Sequence, residues 1–370
     1  MASFQIPDPE SLLSLSKLIT EQVNNYVDMV RHCEKSPEED LKLSLQQKQE
    51  MRDRAEAVAN TGGQLQALIT DPSHWMAQSA WAYYDSVALC LCIEMKIAEH
   101  IEPGEKGATL EDLVKSTGAS SGLITARNHF QIPQDPRKAA FCEAFQTDIS
   151  LYDFYHSVDT KRGERFARAM VGHYDGQLNQ PLETIFPFGD LADGSLLVDI
   201  GGGTGRQAIR LAALFPQLSC VVQDHSSVVS GAEKEIELSE NITNRISWEA
   251  HDFCTLQPRK GAAVYLLSHV LMDHTDKKAA QIVQSVVDAM DPASSKLLIH
   301  DFMDPPSFGQ DRPRIFDMLD LHMIASLSRP SRSEADWDAL IARADKRLRR
   351  HKTWAAKDGS AVLELRLQAE

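Results

Sequence analysis

The chain has 370 residues and a formal net charge of −15, and 43% of its residues are hydrophobic. This composition is that of a globular protein with a sizeable core. Because an acidic surface repels phosphate backbones, we expect no nucleic-acid partner. No stretch reaches about 18 uncharged apolar residues, so we expect no membrane span. The N-terminus lacks a signal-peptide pattern, and we therefore expect a cytoplasmic location.

The N-terminal part of the chain predicts helices. Residues 9–70 carry apolar side chains at three- and four-residue spacing, which is the helical period. We expect Ser36 to cap the second of these helices, and Gly62 and Gly63 to break it. Residues 75–101, "WMAQSAWAYYDSVALCLCIEMKIAEHI", then predict one long apolar helix that packs in a core or a dimer interface.

A shorter helical segment and a connector follow. Residues 108–120, "ATLEDLVKSTGAS", predict a short helix capped by Thr109, which resembles the second helix of a winged helix-turn-helix domain. Residues 127–145, "RNHFQIPQDPRKAAFCEAF", contain prolines that are typical of a connector. Residues 160–174, "TKRGERFARAMVGHY", predict a helix that leads into the second half of the chain.

From about residue 190, apolar strands alternate with helices. The strands are predicted in "LLVDIGG", "LSCVVQD", "RISWEAHDF", "AAVYLLSHV", "SKLLIHDFM" and "AVLELRL". This alternation predicts an α/β fold with a mostly parallel, doubly wound sheet that binds its ligand at the carboxyl ends of the strands. The basic run at residues 347–352, "RLRRHK", is interpreted as a solvated helix end or loop. We therefore predict two domains, a helical one over residues 1–150 and an α/β one over residues 151–370.

The six cysteines are scattered along the chain. They form no CxxC pair and no cluster with histidines of the kind that binds a metal ion. The expected state is therefore free thiols in a reducing compartment, with no metal site. The cysteines are Cys33, Cys90, Cys92, Cys142, Cys220 and Cys254.

The segment "VDIGGGTGR", residues 198–206, carries the strongest signal in the chain. Gly201, Gly203 and Gly205 form a GxGxG turn between a strand and a helix. Glycines in such a turn allow positive φ angles and let the backbone approach a ligand closely. A dinucleotide-binding loop would need a third glycine where Arg206 stands, and no Gly-Lys-Ser/Thr follows that would make a phosphate-binding P-loop.

Acidic residues at three strand ends extend this signal. Asp199 ends the first strand, and Asp224 ends the next, where a carboxylate can accept both ribose hydroxyls. Asp252 follows the third strand and is placed to bind an adenine amine, while Phe253 can stack on the ring. Acids at successive strand ends predict a nucleoside-binding site.

These residues resemble the plant-type O-methyltransferase family, in its fungal secondary-metabolism branch. The similarity covers most of residues 60–370 and includes "LLVDIGGGTGRQAIRLAALFPQLSCVVQD", "SHVLMDHTDKKAAQIVQSVVDAM" and "SEADWDALIARA". It implies an S-adenosylmethionine site on a Rossmann-like class I methyltransferase sheet, with an N-terminal all-α, winged-helix-like domain that forms a homodimer. It also implies that Phe166 and Met170 line the acceptor pocket, with Ser268 on the cofactor side and His269 on the substrate side.

The resemblance fails at the position of the general base. Family members read "L-H-D-W-x-D" after the fourth strand, and their histidine removes the proton of the acceptor hydroxyl. Here Met272 stands in place of the histidine, and a thioether cannot accept a proton at useful pH. The two glutamates that steady the histidine in the family align with Asp301, which is shorter, and with Ser331, which has no charge.

Three functions remain open. His274 or His269 can replace the missing base in an O-methyltransferase that acts on a phenol or enol. Alternatively, the protein resembles the O-methyltransferase-like pericyclases, which act on polyketide–amino acid pyridones, and this is the leading hypothesis. Asp273 and His274 would then supply hydrogen bonds, Met272 an apolar wall and Asp301 further catalytic support. The third alternative is a catalytically silent partner of other enzymes.

The N-terminal domain differs from the family as well. Roughly sixty residues that form the recognition helix, the wing and a pocket-lining helix in the family are missing between "TGAS" and "IPQDP". This difference is either a real deletion, which would leave a more open pocket, or a gene-model error that removed an exon.

Overall fold

The computed structural model describes residues 8–34, 45–70, 72–101, 110–118, 135–175, 180–236, 238–304, 314–329, 331–356 and 359–368. Two compact units divide the chain, Met1–Trp81 and Ala82–Glu370. The domain boundary that the sequence places at residue 150 stays a prediction. Among the described helices, none is long and apolar enough to cross a membrane.

The first unit contains the helices α1 (Pro9–Glu34), α2 (Leu45–Ile69) and α3 (Pro72–Trp81). The first two run antiparallel, because Arg54 Nη1 of α2 donates to the carbonyl of Asn25 in α1 at 3.2 Å, while Gly62, further along α2, lies beside Ile19, which is earlier in α1. The predicted break at Gly62 and Gly63 is wrong, since α2 continues through both. A Cβ added at Gly62 would lie 3.7 Å from Ile19, so α2 lies against α1 there, and this packing outweighs the low helix propensity of glycine.

The second unit begins with short helices. The long helix predicted over residues 75–101 is instead divided at Ala82 and ends in a 3₁₀ turn, Ile97–His100, because Lys96 takes a left-handed conformation with φ of 54°. The predicted caps Ser36 and Thr109 lie outside the described residues. The helices that precede the sheet are α4 (Tyr83–Glu94), α5 (Leu110–Thr117), α6 (Ala140–Ala144), α7 (Leu151–Ser157), α8 (Thr160–Asp175) and α9 (Leu182–Ile185).

An eight-stranded sheet forms the centre of the second unit. The main order is β3-β2-β1-β4-β5-β8-β7, with β6 paired to β5. All pairs are parallel except those that β8 makes with β5 and β7. The strands are β1 (Ser195–Ile200), β2 (Leu218–Asp224), β3 (Ile246–Ala250), β4 (Val264–Ser268), β5 (Lys296–Asp304), β6 (Arg332–Ser333), β7 (Leu348–Ala355) and β8 (Ser360–Leu367).

Helices cover both faces of this sheet, which is why its strands read as continuous apolar runs. Alternate residues enter different clusters: Val198 and Ile200 pack on one face, and Leu197 packs on the other. The helices among the strands are α10 (Arg206–Leu214), α11 (Ser226–Glu235), α12 (Glu240–Thr243), α13 (Asp276–Val287), α14 (Arg314–Leu327) and α15 (Glu334–Ala344).

The strand order reverses between β1 and β4, which lie side by side. Open α/β sheets bind ligands in the crevice at such a switch point, outside the carboxyl ends of the strands. The glycine turn follows β1, and the segment with Met272 follows β4, so the fold places both sequence signals at this edge.

The basic run at residues 347–352 is not a helix end or loop, and that interpretation is wrong. Most of it belongs to β7, an edge strand that pairs antiparallel with β8. Arg349, His351 and Lys352 of this strand are exposed, and the half-buried Arg350 pairs with Glu334 and Asp338 of α15. Basic side chains are common on edge strands, where they hinder pairing with another chain.

Candidate active site

The glycine turn after β1 is built for close approach of the backbone. Gly201 has φ of 71°, and a Cβ added there would lie 2.8 Å from Val270 Cγ2, so a side chain does not fit. Gly203 has φ of 58°, and a Cβ at this position would meet no described atom within 4 Å. The turn is therefore tightly packed at Gly201 and open at Gly203, which is the arrangement that a backbone loop facing a ligand requires.

Asp224, at the end of β2, holds this turn in place. Its Oδ2 atom accepts a hydrogen bond from the N–H of Gly203 at 2.8 Å, and its Oδ1 accepts one from the N–H of His225 at 2.6 Å. Each carboxylate oxygen can accept a second hydrogen bond. Asp224 thus fixes the turn and still offers acceptors for ribose hydroxyls, the role that the sequence predicts.

Asp199, at the end of β1, is buried with an exposure of 1%. Within the described part of the chain, neither of its carboxylate oxygens has a hydrogen-bond partner. Burial, with the nearby charge of Asp224, raises the pKa of Asp199 to about 7. A buried carboxyl without a partner is costly unless a ligand supplies donors or positive charge. S-adenosylmethionine carries both an ammonium and a sulfonium, so these residues fit that cofactor.

The loop after β3 brings Phe253 and His274 together. Their ring centroids lie 5.5 Å apart at an angle of 57°. Burial, with positive charge from Lys278 and Arg332, lowers the pKa of His274 to about 4, so its imidazole is neutral. Asp252 is exposed and accepts a hydrogen bond from the N–H of Cys254 at 2.9 Å, which shapes the turn that presents Phe253.

Met272 lies in a short 3₁₀ turn, Leu271–Asp273, directly after β4. It packs against an apolar cluster from α6, α7 and α14 that includes Phe154, Met323 and Leu327. The backbone N–H of Met272 donates to Asp301 Oδ2 at 3.0 Å. The side chain at the position of the family's base is therefore an apolar contact, held in place through its own backbone.

Asp301 lies on β5 and is 3% exposed. Besides the bond to Met272, its Oδ1 accepts the N–H of Phe302 at 2.9 Å. Burial raises its pKa to about 7, although the charge of Arg332 opposes this shift. Asp301 therefore supports backbone, whereas the resemblance aligns it with a glutamate that steadies a histidine.

Asp273 faces a different neighbour. Tyr152 of α7 donates its hydroxyl hydrogen bond to Asp273 Oδ2 at 2.6 Å. The ring of Phe166 from α8 meets the ring of Tyr152 edge-on, with centroids 6.0 Å apart. The structure thus links Phe166 to the segment after β4, while the side chain of Met170 lies outside the described residues. Tyr152 is absent from the sequence-based site, because it precedes Asp273 by 121 positions.

His269 and Ser268 group with a third residue, His300 of β5. The Ser268 hydroxyl lies 2.9 Å from His300 Nδ1. The ring of His269 lies 4.5 Å from that of His300 and 5.2 Å from that of Phe302. The two histidines nearest Met272 in sequence therefore contact different partners, His269 on β5 and His274 on Phe253. Among the described residues, no group of three or more His, Cys, Asp or Glu side chains could hold a metal ion.

Arg332 is a further buried residue that the sequence reading did not single out. Its guanidinium donates to the carbonyl of Leu271 at 2.8 Å, to the carbonyl of His274 at 2.6 Å and to Asp276 Oδ1 at 2.9 Å. It therefore braces both ends of the turn that carries Met272. Beside this turn lies a small cavity lined by Met272, Phe302, Met323, Arg329, Ser331, Arg332 and Trp337.

Comparison with known proteins gives consistent matches. The O-methyltransferase domain model matches residues 133–345. O-methyltransferase xanE of Aspergillus fumigatus is 30% identical over 365 residues, covering 82% of this chain and 84% of the relative. OxaC in complex with sinefungin and meleagrin has a TM-score of 0.58 at 17% identity, covering 95% and 99% of the two chains. A structure described as a pericyclic reaction enzyme has a TM-score of 0.51 at 18% identity, covering 98% and 100%. At these identities the structural matches establish the fold alone.

Proposed function

The chain belongs to the O-methyltransferase domain family, whose cofactor is S-adenosylmethionine, and we propose that it uses this cofactor in a pericyclase reaction rather than a methyl transfer. The proposed reaction is the dehydration and Diels–Alder-type cyclisation of a polyketide–amino acid pyridone. The observation that carries the proposal is the apolar packing of Met272 where the family has its base. Homodimerisation and a cytoplasmic location stay predictions.

In this proposal the cofactor is held by residues from both sides of the switch point. The open turn at Gly203 lets the backbone approach the methionyl part, and Asp199 supplies the unpaired carboxylate oxygens. Asp224 binds the ribose, and the loop with Asp252 and Phe253 holds the adenine, with Ser268 nearby. When bound, S-adenosylmethionine supplies a fixed positive charge on its sulfonium.

The remaining residues would shape the reaction. A pericyclic step needs no strong base, but it needs a pocket that holds one reactive conformer. Met272 and Phe166 offer apolar surface for that purpose. The neutral imidazole of His274 and the carboxyl of Asp273 offer hydrogen bonds to a carbonyl whose charge develops in the transition state.

An O-methyltransferase acting on a phenol or enol is the second candidate. It is favoured by the relative named O-methyltransferase xanE, which is 30% identical over most of its length. In this case another group must remove the acceptor proton. His274 is a weak base at this pKa, and His269 lies against His300 and Phe302.

One incubation separates these functions. The protein is mixed with a pyridone alcohol, with the corresponding quinone methide, and with S-adenosylmethionine labelled on the methyl group. We expect a changed ratio of cyclised isomers and no label in any product. Label in a product supports the methyltransferase. No effect on either substrate, combined with tight binding to another pathway enzyme, supports the silent partner.

A matched control tests the part assigned to the cofactor. S-adenosylhomocysteine has the same nucleoside and amino acid but a neutral thioether in place of the sulfonium. If the positive charge contributes to the reaction, the rate falls when S-adenosylhomocysteine replaces S-adenosylmethionine at saturation. An equal rate with both would reduce the cofactor to a structural support.

A further inference from the structure

Tyr152 and Asp273 form a part-buried hydrogen bond beside the candidate site. Tyr152 lies on α7 and Asp273 on the turn after β4, and their oxygens are 2.6 Å apart. Both residues are half-buried. Phe166 packs edge-on against the Tyr152 ring, and Met272 is the residue before Asp273. The pair therefore adjoins Phe166 in space and Met272 along the chain, two residues that the proposed function assigns to the pocket.

We propose that Tyr152 and Asp273 catalyse the dehydration step. Asp273 gives and takes the proton, and Tyr152 supports it with a hydrogen bond. This inference rests on the proposed function and adds Tyr152 to it as a further catalytic residue. It also explains how a site without the family's histidine can still transfer a proton.

The step balances without an oxidant or reductant. The protonated Asp273 carboxyl gives its proton to the side-chain hydroxyl of the pyridone alcohol, whose carbon–oxygen bond breaks so that water leaves. The O–H bond of the ring hydroxyl breaks and its electron pair forms the ring carbonyl, while the electron pair of the adjacent ring double bond moves out to form the exocyclic double bond as the carbon–oxygen bond breaks. That proton returns to the Asp273 carboxylate, so the net change is loss of one water molecule. Tyr152 donates to the carboxylate throughout and stabilises its negative charge.

The surroundings of Asp273 suit this role. Burial raises its pKa to about 6, while the hydrogen bond from Tyr152 opposes the shift. The charged groups nearby are engaged with other partners: Arg332 binds Asp276 and two carbonyls, and Asp301 binds the backbone of Met272 and Phe302. A carboxyl with such a pKa can both give and take a proton near neutral pH.

The test uses two probes and three variants of the full chain saturated with S-adenosylmethionine. The first probe is a 4-hydroxy-2-pyridone with a secondary alcohol on its C3 side chain, which must be dehydrated. The second is the preformed quinone methide, which bypasses dehydration. The variants are Tyr152→Phe, Asp273→Asn and the control Tyr155→Phe. Tyr155 lies on the same helix, its ring packs on Phe141 and Phe166, and the change to Phe keeps both ring contacts while it removes the hydroxyl.

We expect Asp273→Asn to slow conversion of the alcohol by about 10²- to 10⁴-fold, the usual contribution of general acid–base catalysis. Tyr152→Phe slows it less and moves the pH–rate profile to higher pH, because the bond that lowers the pKa of Asp273 is lost. On the preformed quinone methide both variants lose less activity than on the alcohol, because this probe needs no dehydration. Tyr155→Phe keeps the wild-type rate on both probes.

Two results overturn the inference, and they are distinguishable. If the wild type converts the alcohol and both Tyr152→Phe and Asp273→Asn match its rate and pH profile, the pair handles no proton although the proposed function stands. If the wild type acts on neither probe, the proposed function fails, and the inference fails with it. Calorimetric binding of S-adenosylmethionine by each variant shows that it is folded, and Asp273→Asn tests the pair even if Tyr152→Phe does not fold.

Discussion

The turn after β1 and the segment after β4 lie at the carboxyl ends of neighbouring strands, yet they differ in what they retain. The first keeps an open glycine turn, with Asp224 bonded to Gly203 and the unpaired carboxyl of Asp199. The second has an apolar contact in place of a base, with Asp301 bonded to the backbone of Met272. In the proposed function, binding of the nucleoside and choice of the reaction therefore depend on separate segments of the sheet edge, so that one can change while the other is kept.

The largest expected effect is loss of the cofactor from the first region. Gly201→Ala places a Cβ 2.8 Å from Val270 Cγ2 at a φ of 71°, so the turn must move. We expect binding of S-adenosylmethionine, measured by calorimetry, to weaken by more than about 100-fold, which corresponds to roughly 3 kcal/mol. Gly261→Ala is the control, because φ is 67° there and no described atom lies within 4 Å of the added Cβ. Equal affinity of both variants and the wild type would contradict this view of the turn.

The second largest effect is expected when the turn after β4 loses the hydrogen bonds that Arg332 donates to it. Arg332→Gln leaves the carbonyls of Leu271 and His274 without their guanidinium donor. We expect the free energy of unfolding in urea to fall by about 2–4 kcal/mol, because unsatisfied buried acceptors cost about 1–3 kcal/mol each. Arg347→Gln, at a half-exposed arginine, is the control and should change stability much less. A loss no larger than that of the control would show that the turn does not depend on Arg332.

The third prediction concerns variants that restore the family's base in the segment after β4. Met272→His alone restores an imidazole, but Asp301 is occupied by backbone and Ser331 carries no charge. We expect label transfer from S-adenosylmethionine to a phenol to appear only when Ser331→Glu is added. The measurement is label in product for the two single variants and the double variant. Strong transfer by the wild type would contradict the premise that the base is absent.

The fourth prediction concerns the pH dependence of stability. The folded-state pKa of Asp199 is about 7, above the value of about 3.9 for an unfolded chain. The folded state therefore binds more protons between these values, and stability without cofactor falls as pH rises from about 4 to about 7. Asp199→Asn should flatten this dependence in thermal unfolding and should also remove the rise in cofactor affinity that ionisation of Asp199 gives. An unchanged slope in the variant would show that Asp199 does not titrate in this range.

The sequence predicts well what depends on local pattern. The strands of the sheet follow from apolar runs, and the glycine turn follows from residue types that allow positive φ. The strand β7 was missed because charged side chains on one side of an edge strand resemble a solvated loop. The break predicted at Gly62 fails because tertiary packing outweighs local propensity.

Contacts between distant residues were not predictable in the same way. Tyr152 meets Asp273, and Arg332 meets Leu271 and His274, only after the chain has folded. A single sequence shows that Met272 cannot act as a base, but it does not show what the neighbouring Asp273 contacts. The partner of a catalytic candidate therefore had to come from the structure.

The decisive measurement compares the amount of S-adenosylmethionine consumed with the amount of product formed. The protein is incubated with the pyridone alcohol and S-adenosylmethionine, and the S-adenosylhomocysteine released is compared with the substrate converted. We predict cyclised product without release of S-adenosylhomocysteine, since the second region lacks the family's base. Release of one S-adenosylhomocysteine for each methylated product molecule would contradict the proposal and assign the chain to methyl transfer.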